Sequence, residues 1–348
     1  MDRFLIIRFG SIGNTLVSIP AVRALRKAYP SSFIAMIVSP GIDDLLRDIP
    51  WIDERIVYDM HGVHQNLISY LGFIRDLRKR HFDTVLVVKR FLRSEIIAWL
   101  SGARRRIGFQ TGGKPLLLTD SVPYIEGTNI VALNMSLLAP LGIQDTDLSL
   151  DLGPGSCKDD PVMQRIRTLK ETSPAGYVVL HPGGISVKGM GLSTERYAGI
   201  IERLTRQYRM SCCIIGDKTD AARIASFAEL PKNNARVTTA IGLPLHEIAC
   251  LLRHAALFIG NDSGPCHIAD AVHTPGIIIY PPMHRLSEHL AKWKPAGDYY
   301  LAITPPRPCD TCTSYPCDED TMLRCIEAID IEPIFRYTEL ILARGHTL

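Results

Sequence analysis

The sequence predicts an α/β protein with two doubly wound parallel sheets, one after the other along the chain. Short continuous apolar runs, typical of strands that are buried on both faces, alternate with amphipathic helical patterns. The alternation stops at residues 151–161, which carry Pro and Gly, and then starts again. The length of 348 residues allows two domains of about 150 residues, each with its own core.

The first repeat opens the chain. The run FLIIRF at 4–9 predicts a buried strand, and apolar residues spaced along positions 16–25 predict the helix after it. We assign residues 1–155 to this N-terminal domain. Four more apolar runs predict its other strands, at 33–39, 55–58, 84–89 and 106–109.

The second repeat follows the linker. Its strands are predicted by YVVLHPGG, CCIIGD, LFIGND and GIIIYPP. Helical patterns between them complete a second doubly wound domain, which we assign to residues 156–325. Residues 326–348 are expected to form a C-terminal helix, with packing back on the N-terminal domain as one option. Ligands of such sheets bind at strand carboxyl ends, so the cleft between the domains is the expected site.

Composition and charge exclude several classes of protein. The 39 Lys and Arg against 36 Asp and Glu give a net charge of +3, which excludes a strongly basic nucleic-acid coat and an acidic disordered tail. No apolar run reaches the ~18 residues of a membrane-spanning helix, and the N-terminus lacks the pattern of a secretion signal. We therefore expect a cytoplasmic protein with no nucleic-acid partner.

Basic residues are concentrated in the first half of the chain. Residues 1–150 carry 18 basic and 14 acidic side chains, whereas the remainder carries 21 and 22. A solvated surface explains such clusters, and so does a surface that faces an anion. If the surface faces an anion, the residues expected to bind it are Arg90, Arg93, Arg104, Arg105 and Arg106.

The segment GNDSGPCHIADAVHTP at 260–275 is the most informative motif. A predicted strand ends at Asp262, and Ser263 is a favourable N-cap for a helix that begins at Gly264. The N–H groups at such a helix start form an anion site suited to a diphosphate, to which His267 adds a donor. A capped helix without a ligand has the same pattern, so both interpretations stay open at this point.

Two Gly-bearing turns follow other predicted strands. The stretch HPGGISVKG brings Gly183 and Gly184, where backbone approaches a ligand closely, next to the mobile charge of Lys188. The stretch FGSIGNTL lacks the G-x-G-x-x-G fingerprint of a dinucleotide fold, which argues against a nicotinamide oxidoreductase. Asn14 in this turn can orient a substrate, but its amide accepts no proton at neutral pH.

Together these segments resemble glycosyltransferase family 9, the ADP-heptose:lipopolysaccharide heptosyltransferases and their relatives. The resemblance is carried by residues 4–30, 178–189, 214–225 and 241–272, and it extends to the cysteine-bearing tail. It implies the GT-B fold, with two facing Rossmann-like domains that bind the acceptor and the nucleotide-sugar donor respectively. It also implies inverting transfer of a sugar, by default heptose from ADP-heptose, to lipopolysaccharide or another cell-envelope glycan.

Matched position by position, the resemblance implies the donor site and the catalytic groups. Lys188 and Asp262 fall on catalytic positions, and no cofactor is required for catalysis. An anionic glycan or glycolipid acceptor and peripheral contact with the inner face of the cell membrane are further expectations. The implied donor-binding residues are Gly183, Gly184, Lys188, Asp220, Leu243, Asp262, Ser263, Gly264 and His267.

One position departs from the family pattern. Heptosyltransferases usually carry Gly-Asp where this chain has Gly13-Asn14, and that aspartate is the proposed base. An amide cannot take a proton from an acceptor hydroxyl. We favour an active transferase, which uses another base such as His61 or His64, a different class of acceptor, or an oxocarbenium-like transition state that needs little base. The alternative is a catalytically weakened or inactive nucleotide-sugar-binding protein.

The nine cysteines fall into two groups. Cys309, Cys312, Cys317 and Cys325 have a compact spacing that can place four thiolates around one structural Zn or Fe ion, with no part in catalysis. Free or disulfide-linked thiols fit the same spacing. The other cysteines are expected to be small buried side chains, and these are Cys157, Cys212, Cys213, Cys250 and Cys266.

Overall fold

The computed structural model contains two compact units, each built on a six-stranded parallel sheet. One unit comprises Met1–Gly155 with Ala291–Trp293, and the other comprises Ser156–Leu290 with Lys294–Leu348. The expected fold class, two doubly wound parallel sheets, is confirmed. The structure describes residues 1–110, 116–155, 157, 161–183, 191–218, 224, 235–282, 286–295, 297, 299–306 and 319–343.

The first sheet has the strand order β3-β2-β1-β4-β5-β6. Its strands are β1 (Arg3–Ile7), β2 (Phe33–Val38), β3 (Glu54–Val57), β4 (Thr84–Val87), β5 (Arg105–Phe109) and β6 (Asp120–Val122). The connecting helices are α1 (Ile12–Leu16), α2 (Ile19–Ala28), α3 (Ile42–Leu45), α4 (Leu67–Arg78), α5 (Leu92–Leu100) and α6 (Ile130–Ser136), followed by the 3₁₀ turn Ala139–Leu141.

The second sheet repeats this arrangement with the order β12-β11-β10-β7-β8-β9. Its strands are β7 (Tyr177–His181), β8 (Ser211–Gly216), β9 (Val237–Ile241), β10 (Leu257–Asn261), β11 (Gly276–Ile279) and β12 (Tyr300–Ile303). The remaining helices in the described residues are α7 (Val162–Thr172), α8 (Thr194–Arg206), α9 (Leu245–Arg253), α10 (Gly264–Ala271), α11 (Leu286–Trp293), α12 (Glu319–Glu327) and α13 (Glu332–Ala343). All belong to the second unit except the last three residues of α11, which are counted with the first.

The central strands are continuously apolar because helices cover both faces of each sheet. In β1 the residues Phe4–Ile7 are all buried, and β10 is buried along its whole length. A strand of an antiparallel sheet with one wet face would alternate between apolar and polar residues, which neither strand does. This difference explains why the apolar runs in the sequence predict the strands so directly.

The last helix belongs to the second unit, whereas the sequence left open whether it packs back on the N-terminal domain. Ile334 and Phe335 on α13 are buried in the core of the second sheet. The Phe335 ring lies parallel to that of Tyr208, and the Arg203 guanidinium carbon lies 3.8 Å from its centroid. The helix is therefore an integral part of the second core.

Two of the scattered cysteines are paired, which corrects the expectation that all of them are simple buried side chains. Cys157 and Cys250 form a disulfide within the second unit, across 93 residues of sequence. Cys212, Cys213 and Cys266 are free and buried, as expected.

Of the helices in the described part of the chain, none is both long and apolar enough to span a membrane.

Replacing Phe335 by Ala tests the role of α13. The substitution removes a buried ring and leaves a cavity, so the free energy of unfolding is expected to fall by about 3–5 kcal/mol in chemical denaturation. Leu340→Ser on the same helix is the control, because Leu340 is 56% exposed and its replacement should change stability by only about 0.5 kcal/mol. Equal effects of the two variants would contradict the assignment of α13 to the core.

Candidate active site

Chain connectivity creates a ligand-binding crevice at one point of the second sheet. The connections after β7 run towards β9, whereas those after β10 run towards β12. The loops after β7 and β10 therefore leave the sheet in opposite directions, and a crevice opens at the carboxyl ends of these two strands. The HPGG turn follows β7 and the GNDSGPCH motif follows β10, so both motifs meet there.

A buried amide ties these two strand ends together. Asn261, the last residue of β10, is fully buried, and its Nδ2 donates to the carbonyls of Pro182 at 2.8 Å and Gly183 at 3.1 Å. The hydroxyl of Tyr197 on α8 donates to Asn261 Oδ1 at 3.1 Å. This arrangement fixes the direction in which the chain enters the Gly-bearing turn.

Ser263 occupies the N-cap position of α10, as the sequence predicts, but its hydroxyl does not cap the helix. The hydroxyl oxygen lies 3.0 Å from His181 Nδ1, and the hydroxyl donates to the carbonyl of Asn261 at 3.1 Å. A side-chain cap would occupy the helix start with its own oxygen. Because this serine turns towards β7 and β10, the N-terminal end of α10 keeps its preference for an external anion.

A carboxylate and two imidazoles lie beside this helix start. Asp262 Oδ2 lies 2.6 Å from Nε2 of His289 on α11. His267, on the first turns of α10, is buried, and burial lowers its pKa because it disfavours the charged imidazolium, although the Asp262 carboxylate opposes the shift. A neutral His267 carries one N–H donor, so the group combines a held carboxylate with hydrogen-bond donors.

Two further donor-binding candidates lie at this edge of the sheet. Gly183 is buried just after β7, and Leu243 is half-buried in the turn after β9, the edge strand. Leu243 therefore offers an apolar contact at the side of the crevice. Three of the expected donor-binding residues lie outside the described residues: Gly184, Lys188 and Asp220.

Asp262, Cys266 and His267 also form a compact group, in which one ligand-type atom from each residue lies within 4.8 Å of the others. Burial raises the pKa of the Cys266 thiol, and nearby carboxylates raise it further. The thiol is thus protonated at neutral pH, and a cation would have to displace that proton.

Of the C-terminal cysteines, Cys325 is free and half-buried, and three lie outside the described residues: Cys309, Cys312 and Cys317.

The first sheet has an equivalent crevice at the carboxyl ends of β1 and β4, where its connections change direction. A cavity of about 340 Å³ opens there, with Ser11, Asn14, Tyr124 and Asn134 among its lining residues. Asn14 Nδ2 donates to Ser11 Oγ at 2.7 Å. The structure thus brings Asn14 to the crevice as a hydrogen-bonding residue.

Two positively charged side chains, Arg8 and Lys89, line this cavity close to the backbone of Gly10. Arg8, after β1, is buried, and its Nε donates to the Asn14 carbonyl at 2.8 Å. Burial lowers the pKa of Arg8 to about 10, so it stays charged, and burial together with the Arg8 charge lowers the pKa of Lys89, after β4. Gly10 has a φ of +141°, and a Cβ there would lie 3.8 Å from Lys89 Nζ and 3.9 Å from Arg8 Nη1. The cations converge on a glycine that leaves room for an anion.

The histidines considered as alternative bases stand in the loop after β3. The Asp59 amide donates to His64 Nδ1 at 3.0 Å, and the His64 ring stacks on Tyr58. This imidazole therefore supports the loop. His61 is exposed in the same loop. Neither histidine is among the residues that line the cavity beside Asn14.

Arg90 and Arg93 lie at the carboxyl edge of the first sheet, after β4. The Arg90 guanidinium carbon lies 3.8 Å from the centroid of the Tyr124 ring, and its Nη1 is 3.6 Å from Glu126. Burial raises the pKa of Tyr58, and the nearby charge of Arg93 opposes that shift. Both arginines are exposed, so their remaining N–H donors are available to an anionic substrate.

The other three arginines expected at an anion-facing surface lie elsewhere, which corrects that assignment. Arg104, Arg105 and Arg106 stand at the start of β5, at the amino edge of the sheet and away from the crevice. Arg105 pairs with Asp120 at 2.9 Å, and Arg106 donates to two backbone carbonyls at 2.7 Å. Arg105 and Arg106 therefore hold the start of β5, and the position of the triplet removes it from the site.

The model of glycosyltransferase family 9 (heptosyltransferase) matches residues 70–323 of this chain. The chain belongs to glycosyltransferase family 9. It is 26% identical over 315 residues to lipopolysaccharide heptosyltransferase 3 of Escherichia coli, with 82% of this chain and 87% of that protein covered.

Solved structures of the family share the fold. A family 9 glycosyl transferase from Veillonella parvula superposes with a TM-score of 0.81 at 19% identity, with 99% of each chain covered. The E. coli ADP-heptose lps heptosyltransferase II superposes with a TM-score of 0.76 at 18% identity over 100% of both chains. The two doubly wound sheets are thus those of the GT-B fold.

From the sequence, several residues that stand at these two crevices of the glycosyltransferase received no individual role, although Lys89 belongs to the basic cluster of the first half of the chain. His181 and Asn261 end β7 and β10, and Arg8 and Lys89 follow β1 and β4. The rule that ligands lie at strand carboxyl ends could have identified all four. His289 gives no comparable signal, because it lies inside α11 and reaches Asp262 only through the fold.

Replacing Asn261 by Leu tests the tie between β7 and β10. The variant leaves the carbonyls of Pro182 and Gly183 without their buried donor, which should lower the free energy of unfolding by about 1–3 kcal/mol. Calorimetric titration should also show weaker binding of ADP, because the Gly-bearing turn loses its anchor.

The matched control is Asn134→Leu. Asn134 is also buried and also donates to a backbone carbonyl, that of Val17, but it lies in the first unit. The control should lose stability and keep its affinity for the nucleotide. If both variants bind ADP equally well, Asn261 has only a structural role.

Proposed function

We propose that this protein is an inverting glycosyltransferase, which moves a sugar from a nucleotide-sugar donor onto a cell-envelope glycan. The default donor is ADP-heptose and the default acceptor is lipopolysaccharide, since the E. coli relative is a lipopolysaccharide heptosyltransferase. One observation carries the proposal: at the end of β10, the Asp262–His289 pair and the neutral His267 gather around the uncapped start of α10. Helix starts of this kind suit a diphosphate.

The donor is proposed to bind across the carboxyl edge of the second sheet. Ser263 and Gly264 offer the helix start to the diphosphate, and Lys188 adds a positive charge from the turn that begins at Gly183 and Gly184. The remaining contacts hold the nucleoside. Asp220 binds the ribose hydroxyls and Leu243 packs against the base.

The reaction forms a bond between an acceptor oxygen and the anomeric carbon while the bond from that carbon to the diphosphate oxygen breaks. The electron pair of the broken bond leaves on the nucleoside diphosphate. Lys188 and the start of α10 stabilise this developing charge, so no divalent metal is needed there. The acceptor proton leaves late and passes to solvent water, because an oxocarbenium-like transition state makes only a weak demand on a base.

The acceptor is proposed to bind at the crevice of the first sheet through its own negative charge. Arg8 and Lys89 flank Gly10, and neither forms an ion pair with a carboxylate of the described residues. Arg90 and Arg93 extend this positive surface. An anionic glycan or glycolipid fits these groups, and we propose a cytoplasmic protein that contacts the inner face of the cell membrane peripherally.

Asn14 motivates a second candidate function, a weakened or inactive protein that binds a nucleotide-sugar without transferring the sugar. Its amide is committed to Ser11 Oγ and cannot serve as a base. We favour the active transferase because the donor-side groups do not depend on Asn14. A structural Zn or Fe ion on Cys309, Cys312, Cys317 and Cys325 remains part of the proposal for the tail.

A nucleotide screen followed by a transfer assay tests the function. ADP should raise the thermal unfolding midpoint more than UDP or GDP, because a ligand that binds only the folded state stabilises it. ADP-heptose should then release ADP faster when an acceptor glycan is added. Binding of ADP-heptose without any release of ADP would favour the inactive binding protein, and no binding of any nucleotide would refute both candidates.

Lys188→Ala is expected to lower the rate of transfer by about 100-fold or more, because one fixed positive charge on the leaving diphosphate is lost. Steady-state rates with the donor at saturation measure the effect, and circular dichroism checks the fold. Lys170→Ala removes an exposed lysine from the last turn of α7 and should leave the rate unchanged. A Lys188→Ala variant within threefold of the wild-type rate would remove Lys188 from the mechanism.

Asn14→Asp distinguishes an orienting amide from a lost base. For an active transferase in which Asn14 only orients the acceptor, the aspartate should leave the rate unchanged or lower it, and Asn14→Ala should cost a modest factor. The pH dependence of kcat is the second measurement, because a working base adds the titration of a carboxylate to the profile. A large gain in rate with such a titration would instead indicate a weakened enzyme.

A further inference from the structure

The first two turns of α4 expose large apolar side chains. Leu67, Ile68 and Leu71 are 69%, 85% and 54% exposed, and Val63 in the preceding loop is 66% exposed. At 100° per residue the three helix residues share one face, and these three side chains form what we call the α4 surface. Four such residues within nine positions differ from the single exposed apolar side chains that are common on proteins.

The core does not require this face. The helix packs on the first sheet through Ile74 and Leu77, with Phe73 and Tyr70 against the same cluster. Ile68 lies on the side of the helix opposite this packed side, and Leu67 and Leu71 lie at its border. All three are exposed. Their apolar character is therefore unexplained by packing within the first unit.

Side-chain contacts fix the conformation of the loop before the helix, which carries Val63. Asp59 accepts the amide hydrogens of Gly62 at 2.8 Å and Val63 at 3.1 Å, and the ring of His64 packs between those of Tyr58 and Phe73. These contacts anchor both ends of the loop. The exposed valine consequently sits on an ordered turn.

Positive charge continues the same helix face towards its C-terminus. Arg75 and Arg78 stand four and seven residues after Leu71, which brings them to its side of the helix. Both are exposed, and Lys79 follows. The order apolar then basic along one helix face is that of helices that lie at the surface of a bilayer with anionic lipids.

The position of the α4 surface suits a substrate that is held in a membrane. Because α4 follows a parallel strand, its first turn lies at the carboxyl edge of the first sheet, the edge that carries Arg8, Gly10 and Lys89. Arg93, in the first turn of α5, lies near enough to Tyr58 in the loop for its charge to act on that phenol, and it adds an exposed charge there. A bilayer in contact with this surface would lie beside the crevice proposed for the acceptor.

We propose that the α4 surface binds the headgroup region of a bilayer that contains anionic phospholipids. Leu67, Ile68 and Leu71 enter the interface, and Arg75 and Arg78 pair with lipid phosphates. Lys79 is already paired with Asp76 on the same helix, at 2.9 Å. The proposal identifies the surface for the peripheral contact included in the proposed function. The two proposals can be distinguished, because this one is tested by lipid binding and the proposed function by sugar transfer. Either measurement can fail while the other succeeds.

Cosedimentation of the full chain with vesicles tests the proposal. The wild type should bind vesicles of phosphatidylethanolamine and phosphatidylglycerol and should bind phosphatidylcholine vesicles more weakly. The triple variant Leu67→Ser, Ile68→Ser, Leu71→Ser should bind the anionic vesicles at least about tenfold more weakly, because each serine removes apolar area from the interface. Its transfer of sugar to a water-soluble acceptor should stay at the wild-type rate, since none of the three residues belongs to the reaction site.

Two matched controls complete the experiment. Leu116→Ser, Leu323→Ser, Leu340→Ser removes three exposed leucines elsewhere and should bind vesicles as the wild type does. Arg75→Gln, Arg78→Gln should lose the preference for anionic lipid, whereas Arg167→Gln, Arg206→Gln should keep it. Wild-type protein that remains in the supernatant, or a triple serine variant that binds normally, would refute the proposal. So would a wild-type dimer that the triple variant dissociates in sedimentation velocity, because a second copy of the chain would then cover the surface.

Discussion

Parallel pairing of every strand is the constraint on which the rest of the structure depends. Because each strand in both sheets runs in the same direction as its neighbours, all carboxyl ends of a sheet meet at one edge. The changes of direction after β1 and β4, and after β7 and β10, then open one crevice in each unit. Asn261 at the end of β10 donates hydrogen bonds to the carbonyls of Pro182 and Gly183 after β7. These bonds connect two neighbouring strand ends and hold the base of the second crevice.

Much of the fold could be predicted because the central strands are buried on both faces and appear in the sequence as continuous apolar runs. The partly exposed strands β6, β9 and β12 are not buried in this way, and the sequence did not predict them. The disulfide could not be predicted, since Cys157 and Cys250 are 93 residues apart and no spacing pattern joins them. The sequence also could not predict on which sheet the last helix packs. Ile334 and Phe335 mark it as amphipathic, but periodicity does not identify the sheet on which an apolar face packs.

The candidate site was predictable only where its residues are neighbours in the sequence. Asp262, Ser263 and His267 form one motif, so strand–turn–helix logic brings them together, although the use of the Ser263 hydroxyl depends on His181 from another strand. The count of basic residues did not identify which arginines lie at the crevice, for a different reason. Arg105 and Arg106 contribute to the basic excess, but their positions at the start of β5 and their partners are properties of the sheet.

The surroundings of Asn14 explain how a transferase can operate with an amide at that position. Arg8 donates to the Asn14 carbonyl, and both Arg8 and Lys89 lie close to Gly10. Two nearby cations would hold a carboxylate in its charged form and lower its pKa, which makes it a poorer base. The same cations stabilise negative charge on an attacking oxygen, so they reduce the need for a base in the transition state. Under the proposed mechanism, fixed positive charge and an orienting amide lower the demand on a base, and water takes up the released proton.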